Sequence, residues 1–364
     1  MKTVFSTLPS KAIVLLCFFV FLISSSGISQ TPGLIYKPAA SVLGRSVLDP
    51  NGDGFVSLTA SGFSGTDYGS TSELNMVALP VIGGEPTGDI VTGSSGGHTD
   101  IVSVGGNSKQ SCYVLYKQVS GISYLIIRFR IGSASTSSKG YSFLLDTDGI
   151  FGTLLSSNNP GYDKEVVMET GNAGRIAVYN HNASGTTLST SYNLDEYHQR
   201  SVALSTESGN ADYFYDFFIP YSALGLSSEP VRISAVTVTS AGSGITGSKS
   251  DYNGINDQLY GNDPIAIAKA LINTFPSTPL TSLVDGYSYP NPESAIPVVT
   301  GGITTASTSI SGRSTEENGA IITVYKNGVS IGTATVSGNS WTLSSVSGLS
   351  LGDNITAAAL GSGQ

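Results

Sequence analysis

Most apolar residues between positions 110 and 240 lie in short runs that alternate with polar residues and end at Gly, Ser or Asn. A period of two places successive side chains on opposite faces of an extended strand, so each run predicts a strand with one buried face. Many short strands with little helical periodicity predict an all-β sandwich. The runs are "CYVLYKQV", "SYLIIRFRI", "YSFLLDTD", "KEVVMET", "RIAVYNH", "DYFYDFFIP" and "VRISAVTVTS".

One stretch, "DPIAIAKALINTF", has a helical pattern instead. Asp263 is suited to the N-cap position, and Pro264 to the first helical position, where its missing N–H costs no hydrogen bond. We therefore expect one short helix in an otherwise β chain.

The first 29 residues have the pattern of a secretory signal peptide. Lys2 and Lys11 precede or border an apolar core over residues 12–23, and small residues follow it. The alternative is an uncleaved membrane anchor, although this core is short for a span. Removing residues 1–29 takes away two lysines and no acid, which changes the net charge from −9 to −11. An acidic exported chain is a poor partner for nucleic acid, and we expect no membrane span after cleavage.

Cys112 is the only cysteine left after that cleavage, so the fold has no intrachain disulfide. A lone cysteine is most often a small buried apolar residue, and we assign Cys112 that role.

The composition changes at residues 286–298, where three prolines predict a stiff, extended connector. Beyond it, Asn327-Gly328 in "YKNGVS" is the signature of a two-residue hairpin turn. The motifs "SGRSTEENGAIITVYKNG", "GTATVSGNSWTLS" and "GLSLGDNITAAAL" resemble the bacterial Ig-like modules of large surface proteins. We expect a β-sandwich domain over residues 30–295 and an incomplete Ig-like module, smaller than the first domain, over residues 296–364, within a longer protein.

The stretch "LDPNGDGFVS" has the spacing of a calcium loop. Asp49, Asn51 and Asp53 stand at alternate positions, the carbonyl of Phe55 follows two residues later, and Ser57 completes the candidate set. Calcium takes six to eight oxygen ligands, which such a loop can supply. The stretch resembles the calcium loops of EF-hand and dockerin proteins.

Two features depart from that pattern. Ala60 stands where the bidentate Glu of those loops is expected, and no helix is evident on either side. Glu73 or Asp67 is a candidate for the missing acid. The alternative interpretation is a plain Asx turn, because Asp, Asn and Gly favour turns without any ion.

A second candidate calcium site lies at "LLDTDGIFG", where Asp146 and Asp148 end a strand at a Gly turn. "GYDKEVVMET", with Asp163 and Glu165 two residues apart, follows. Together with "DYFYDFFIPYSALGL" and "SDYNGINDQ", this order resembles family-9 carbohydrate-binding modules. The resemblance implies a jelly-roll-like sandwich with a structural ion near Asp146 and Asp148, and it implies binding to a polysaccharide or a cell-surface glycan.

Those modules hold sugars between tryptophans, which this region lacks. Tyrosine rings can stack on sugar C–H groups instead, and Tyr162, Tyr179 and Tyr197 are the candidates because they lie in or near predicted loops. The alternative is that these tyrosines line strands, as their β-propensity predicts.

No set of residues in the sequence has the arrangement that a hydrolase needs, so we expect no catalytic activity. Two functions remain. The first is a secreted or cell-surface binding or adhesion protein with a calcium-stabilised, candidate glycan-binding sandwich. The second is the N-terminal part of a secreted polysaccharide hydrolase whose catalytic domain lies elsewhere. The resemblances also imply a Bacteroidetes-type surface protein, exported through the periplasm.

Overall fold

The computed structural model describes residues 31–56, 74–103, 111–134, 137–150, 159–171, 174–207, 210–227, 229–284, 287, 289, 297–314, 316 and 318–360. The predicted signal peptide, most of the connector, and the candidate ligands Ser57, Asp67 and Glu73 lie outside these residues. Within them the fold is mostly β, with four antiparallel sheets in sandwich-like arrangements, so the prediction of an all-β sandwich is confirmed.

Two six-stranded sheets form the larger sandwich. The first sheet contains, in spatial order, β1 (Ile35–Lys37), β9 (His198–Glu207), β10 (Asn210–Pro220), β4 (Ile122–Ile131), β3 (Cys112–Val119) and β2 (Val77–Ala78). The second contains β12 (Lys249–Tyr252), β11 (Arg232–Val238), β5 (Gly140–Asp146), β6 (Lys164–Glu169), β7 (Arg175–Asn182) and β8 (Gly185–Asn193).

The main core lies between these two sheets. Alternate residues of β4, such as Ile127 and Phe129, pack with alternate residues of β5, such as Tyr141 and Phe143. Phe129 and Tyr141 meet edge to face with ring centroids 5.9 Å apart, so aromatic pairs join the sheets directly. Cys112 is free and fully buried in this core, as predicted.

The outer face of each sheet is partly covered by a helix and the residues around it. On the first sheet, a helix α1 (Val42–Leu48) and the residues around it pack on a second apolar cluster that includes Phe214 and Phe218. On the second sheet, a helix α3 (Pro264–Thr274) packs on a third cluster around Leu144 and Val236. The short helix α2 (Leu194–Tyr197) joins β8 to β9 and so connects the two sheets.

Helix α3 confirms the predicted helical stretch. The Asp263 side chain accepts a hydrogen bond from the backbone N–H of Ile265, and Pro264 occupies the first turn. Ile267, Leu271 and Ile272 form its buried face. Helix α1, by contrast, was not expected. Its N-cap Ser41 accepts a hydrogen bond from the N–H of Gly44, and the packing of Val47 and Leu48 fixes it to the first sheet.

Residues 297–360 form two three-stranded sheets with an apolar cluster of their own. Trp341 is the largest side chain in this cluster and is 2% exposed. The Asn327-Gly328 hairpin turn is confirmed, since both residues have positive φ, 52° and 81°, as a type I′ turn requires. The strands are β13 (Val298–Val299), β14 (Ser309–Arg313) and β17 (Ser340–Ser344) in one sheet, and β16 (Val329–Thr335), β15 (Ile321–Lys326) and β18 (Ile355–Leu360) in the other.

The separate apolar cluster accords with a second module, but the predicted boundary at residue 295 falls among residues that are not described, so it stays a prediction. Among the described residues, no helix is both long enough and apolar enough to cross a membrane.

Candidate functional site

The first predicted calcium loop follows directly on helix α1, which ends at Leu48. The expectation that no helix flanks this loop is therefore wrong. Asp49 forms the C-cap, and its backbone N–H donates to the carbonyl of Arg45. Packing rather than sequence propensity accounts for the helix, because "VLGRSVL" contains a glycine and two valines.

Side-chain oxygens in this loop accept hydrogen bonds from its own backbone. The N–H of Asp53 donates to Oδ1 of Asn51 at 2.8 Å, and the N–H of Phe55 donates to Oδ1 of Asp53 at 2.8 Å. The N–H of Gly54 donates to Oδ2 of Asp49 at 3.3 Å. The first two are the bonds of consecutive Asx turns, which was the alternative interpretation. Calcium binding by Asp49, Asn51, Asp53 and the Phe55 carbonyl stays a prediction.

The second predicted site brings three carboxylates together where β5 ends and β6 begins. One oxygen from each of Asp146, Asp148 and Asp163 lies within 4.8 Å of the others. The sequence named Asp146 and Asp148 as ligands, and the structure adds Asp163. Its backbone N–H donates to the carbonyl of Leu145 at 2.8 Å, and its Oδ2 accepts from the N–H of Thr147 at 2.8 Å.

Electrostatic repulsion acts within this group. Burial raises the pKa of Asp146, and the neighbouring Asp163 and Asp148 raise it further, against the lowering effects of a hydrogen bond from Gly149 and of Arg232. Burial and the charge of Asp148 also raise the pKa of Asp163. The Arg232 guanidinium lies 3.5 Å from Oδ2 of Asp146, on the side of the neighbouring strand β11. A divalent cation would relieve the remaining repulsion with the oxygen ligands that calcium prefers.

The predicted sugar-stacking role of Tyr162 is wrong, because the side chain is 1% exposed. It packs in the cluster beneath helix α3, and its hydroxyl accepts a hydrogen bond from Ser234 Oγ at 2.5 Å. A ring enclosed by protein has no face left for a sugar.

Tyr197 is partly buried and belongs to an aromatic cluster. Its ring stacks on Phe218 and lies beside Tyr192, with centroids 4.7 Å apart in both pairs. It lies in helix α2 rather than in a loop. The ring therefore packs α2 against the first sheet, and a sugar-binding role for Tyr197 stays a prediction.

Tyr179 is half-buried on strand β7 and faces away from the main core. Its hydroxyl donates to Oε1 of Glu169 at 2.7 Å and accepts from Nη2 of Arg175 at 2.9 Å. Burial raises the pKa of Tyr179 to about 12, and the bond to Glu169 adds to the effect, so the hydroxyl remains a donor. Arg175 Nε also donates to Oε2 of Glu169 at 2.8 Å, which closes the triangle.

The same face of the second sheet continues to His181 and Glu165. His181 Nε2 lies 3.0 Å from Oε2 of Glu165. The ring centroids of Tyr179 and His181 are 6.4 Å apart. We call the set Glu165, Glu169, Arg175, Tyr179 and His181 the outer polar face. It lies on β6 and β7. Glu165 and His181 are buried, and Ser243 Oγ donates to Oε2 of Glu165 at 2.6 Å, so Arg175 and Tyr179 are the more exposed part of the set.

One further group of carboxylates was missed by the sequence analysis. Glu85, Asp89 and Asp251 are all buried, and an oxygen of each lies within 4.8 Å of the others. They come from "GGEPTGDI" and "SDYNGIND", which are separated by about 160 positions. Acidic residues between glycines were the only sequence signal, and nothing in that signal pairs the two segments.

Comparisons with protein-family models, with curated proteins and with solved structures gave no match.

Proposed function

We propose that this protein is a secreted or cell-surface binding protein, with an adhesion role rather than a catalytic one. In this proposal calcium stabilises the larger β-sandwich, and the outer polar face binds a polysaccharide or a cell-surface glycan. The observation that carries the proposal is Tyr179, whose hydroxyl is held between Glu169 and Arg175 on the half-buried outer side of strand β7.

The chemistry of that face suits a sugar. Glycan binding needs a flat apolar ring for C–H groups and fixed polar groups for hydroxyls. Tyr179 offers the ring, and Arg175 offers donors whose orientation is fixed by its hydrogen bonds to Glu169 and Tyr179. The Arg175 side chain is 38% exposed, so it remains open to a ligand.

Calcium is proposed for the carboxylates at the β5–β6 junction. Asp146 is 2% exposed, and it shares its site with Asp148 and Asp163. A cation there would hold the end of β5 against the start of β6 and so stabilise the sheet that carries the outer polar face.

Binding is tested by titrating the full chain with soluble polysaccharides, with and without calcium. We expect weak binding, with a dissociation constant of roughly 1 mM, near −4 kcal/mol, because a single tyrosine provides the stacking ring. Tyr179→Ala should abolish it. The matched control is Tyr36→Ala, which removes an exposed tyrosine from the other sheet. Equal binding by both variants, or none by the wild type, would refute the assignment of this face.

Calcium is tested separately by thermal unfolding of the full chain in calcium and in chelator. An ion that binds only the folded state stabilises it by about 2.7 kcal/mol at a hundredfold excess over its dissociation constant. Asp148→Asn should reduce the increase in melting temperature. An increase that is unchanged in this variant would argue against an ion at the β5–β6 junction.

A further inference from the structure

Residues 79–103 form a long irregular segment that lies on strand β12 and on the loop that follows it. The backbone N–H of Val91 donates to the carbonyl of Ser250 at 2.6 Å, and the N–H of Ile82 donates to that of Gly254 at 2.5 Å. Apart from isolated bridges, this segment has no strand partner. Scattered backbone bonds and side chains together hold it in place.

Four buried carboxylates meet where the two segments touch. Glu85 and Asp89 belong to the irregular segment, Asp251 to β12, and Asp257 to the turn after it. Their exposed fractions are 0%, 3%, 0% and 0%. Oxygens of Glu85, Asp89 and Asp251 lie within 4.8 Å of one another.

Each of these carboxylates is oriented by one backbone N–H that donates to one of its oxygens. Gly254 donates to Glu85, and Ile101 donates to Asp251 at 2.6 Å. The N–H of Asp257 donates to Asp89 at 3.0 Å, while Tyr252 donates to Asp257 at 3.3 Å.

The second oxygen of each group has no hydrogen-bond partner among the described residues. These atoms are Oε1 of Glu85 and Oδ1 of Asp89, Asp251 and Asp257. Four such oxygens in one buried group of carboxylates are a strong anomaly, because a buried polar atom almost always has a partner. A buried ion pairs with an opposite charge, coordinates a metal, or becomes neutral. The backbone bonds fix one oxygen of each carboxylate and leave the other available, as outer-shell bonds do around a metal.

The charges around these groups are of the same sign. Burial raises the pKa of Glu85 well above its usual range. The carboxylates of Asp89, Asp257 and Asp100 raise it further. Burial raises the pKa of Asp89 to about 7. Buried like charges repel one another unless a cation or bound protons neutralise them.

The ligand atoms select the kind of cation. All four residues offer carboxylate oxygens, which are the ligands of hard cations such as calcium. The nearby thiol of Cys112 does not change this choice. Burial raises its pKa well above the usual value, and Glu85 and Asp251 raise it further, so it stays protonated and does not act as a thiolate ligand.

We propose that Glu85, Asp89, Asp251 and Asp257 form a buried calcium site that fastens residues 79–103 to β12 and the following loop. The ligands come from two segments that are remote in the sequence, so the ion acts as a cross-link inside the fold. This proposal rests on the buried carboxylates and on their unpaired oxygens, and it holds whether or not the outer polar face binds a glycan.

The test uses the full chain, unfolded in chelator and refolded with or without calcium chloride, because a buried ion exchanges slowly. Bound calcium is counted by atomic emission after dialysis, and melting temperatures are measured in parallel. Asp251→Asn is the main variant, since its amide oxygen can still accept from Ile101, and Glu85→Gln is the second. Asp148→Asn, at the β5–β6 junction, is the matched control.

We expect Asp251→Asn and Glu85→Gln to lose one bound calcium per chain that Asp148→Asn retains. The difference in melting temperature between Asp251→Asn and the wild type should also have opposite signs in chelator and in calcium. In chelator, Asp251→Asn should melt above the wild type, because it removes a buried like charge. In calcium it should melt below the wild type, because it removes a ligand. An unchanged calcium count, or a variant that melts above the wild type in both conditions, would overturn the proposal and leave shared protons as the explanation.

Discussion

The buried ion pair between Arg128 and Asp216 gives a sharp prediction about stability. The two residues stand directly opposite each other on β4 and β10. Arg128 donates from Nε to Oδ1 of Asp216 at 2.7 Å and from Nη2 to Oδ2 at 2.8 Å. Both side chains are 0% exposed. Gln199 Nε2 also donates to Asp216, at 3.2 Å, and the guanidinium lies over the ring of Phe214.

Asp216→Asn removes the negative charge and keeps the size of the side chain. Two unit charges about 4 Å apart attract by about 4 kcal/mol at an effective dielectric constant of about 20. Breaking a buried pair from one side costs about 3–5 kcal/mol in measured cases, because the other charge stays buried. We therefore expect Asp216→Asn to lower the free energy of unfolding by about 3–5 kcal/mol.

The measurement is urea unfolding followed by far-ultraviolet circular dichroism. The control is Asp195→Asn, which breaks the exposed pair with Lys37, where the side chains are 66% and 41% exposed. Exposed pairs contribute about 0–1 kcal/mol. The double variant Arg128→Met/Asp216→Leu should recover much of the loss, because it leaves no unpaired charge. If Asp216→Asn cost no more than Asp195→Asn, the argument from burial would be refuted.

Three further predictions concern other parts of the chain. Burial lowers the pKa of His198 to about 4, so the folded state stays neutral while the unfolded state takes up a proton near pH 6.5. The free energy of unfolding of the wild type, relative to that of His198→Gln, should then fall by about 3 kcal/mol between pH 7 and pH 4. Urea unfolding of both proteins at each pH measures this, and a difference between them that does not change with pH would contradict it. Gly312→Ala should lower the melting temperature measured by the fluorescence of Trp341, because the new methyl group would overlap that ring. The circular dichroism transition of the larger sandwich should stay unchanged. A shift in both signals would show that the modules are coupled. Asp53→Ala should reduce the rise in melting temperature on adding calcium, and an unchanged rise would leave only an Asx turn there.

The sequence was most informative where local chemistry decides the structure. Alternation of apolar residues predicted seven of the twelve strands of the larger sandwich but not β1, β2, β8, β9 or β12, and β3 spans the same eight residues as the run "CYVLYKQV". The Asn327-Gly328 turn and the Asp263 cap also depend on neighbouring residues only. These features need no knowledge of distant parts of the chain.

Features that depend on distant partners could not be predicted in the same way. Tyr162 looked available for a ligand, but helix α3 and Ser234 enclose it. Glu85 and Asp251 meet only because residues 79–103 lie along β12. Helix α1 forms because Val47 and Leu48 find an apolar surface on the first sheet. For Tyr162 and for Glu85 the partner is at least 70 positions away, and one sequence does not reveal such pairs.

The strand order has a consequence for the way the chain folds. Strands β5, β6, β7 and β8 follow one another along the chain and are also neighbours in the second sheet, so they can assemble from local contacts. Strand β1 instead pairs with β9, where Ile35 stands opposite Ser201. Closing so long a loop is slow, because its entropy must be lost before any contact compensates. The pairing of β1 with β9 is therefore expected to form after β5 to β8 have assembled, and residues 31–56 should be among the last to become protected from hydrogen exchange.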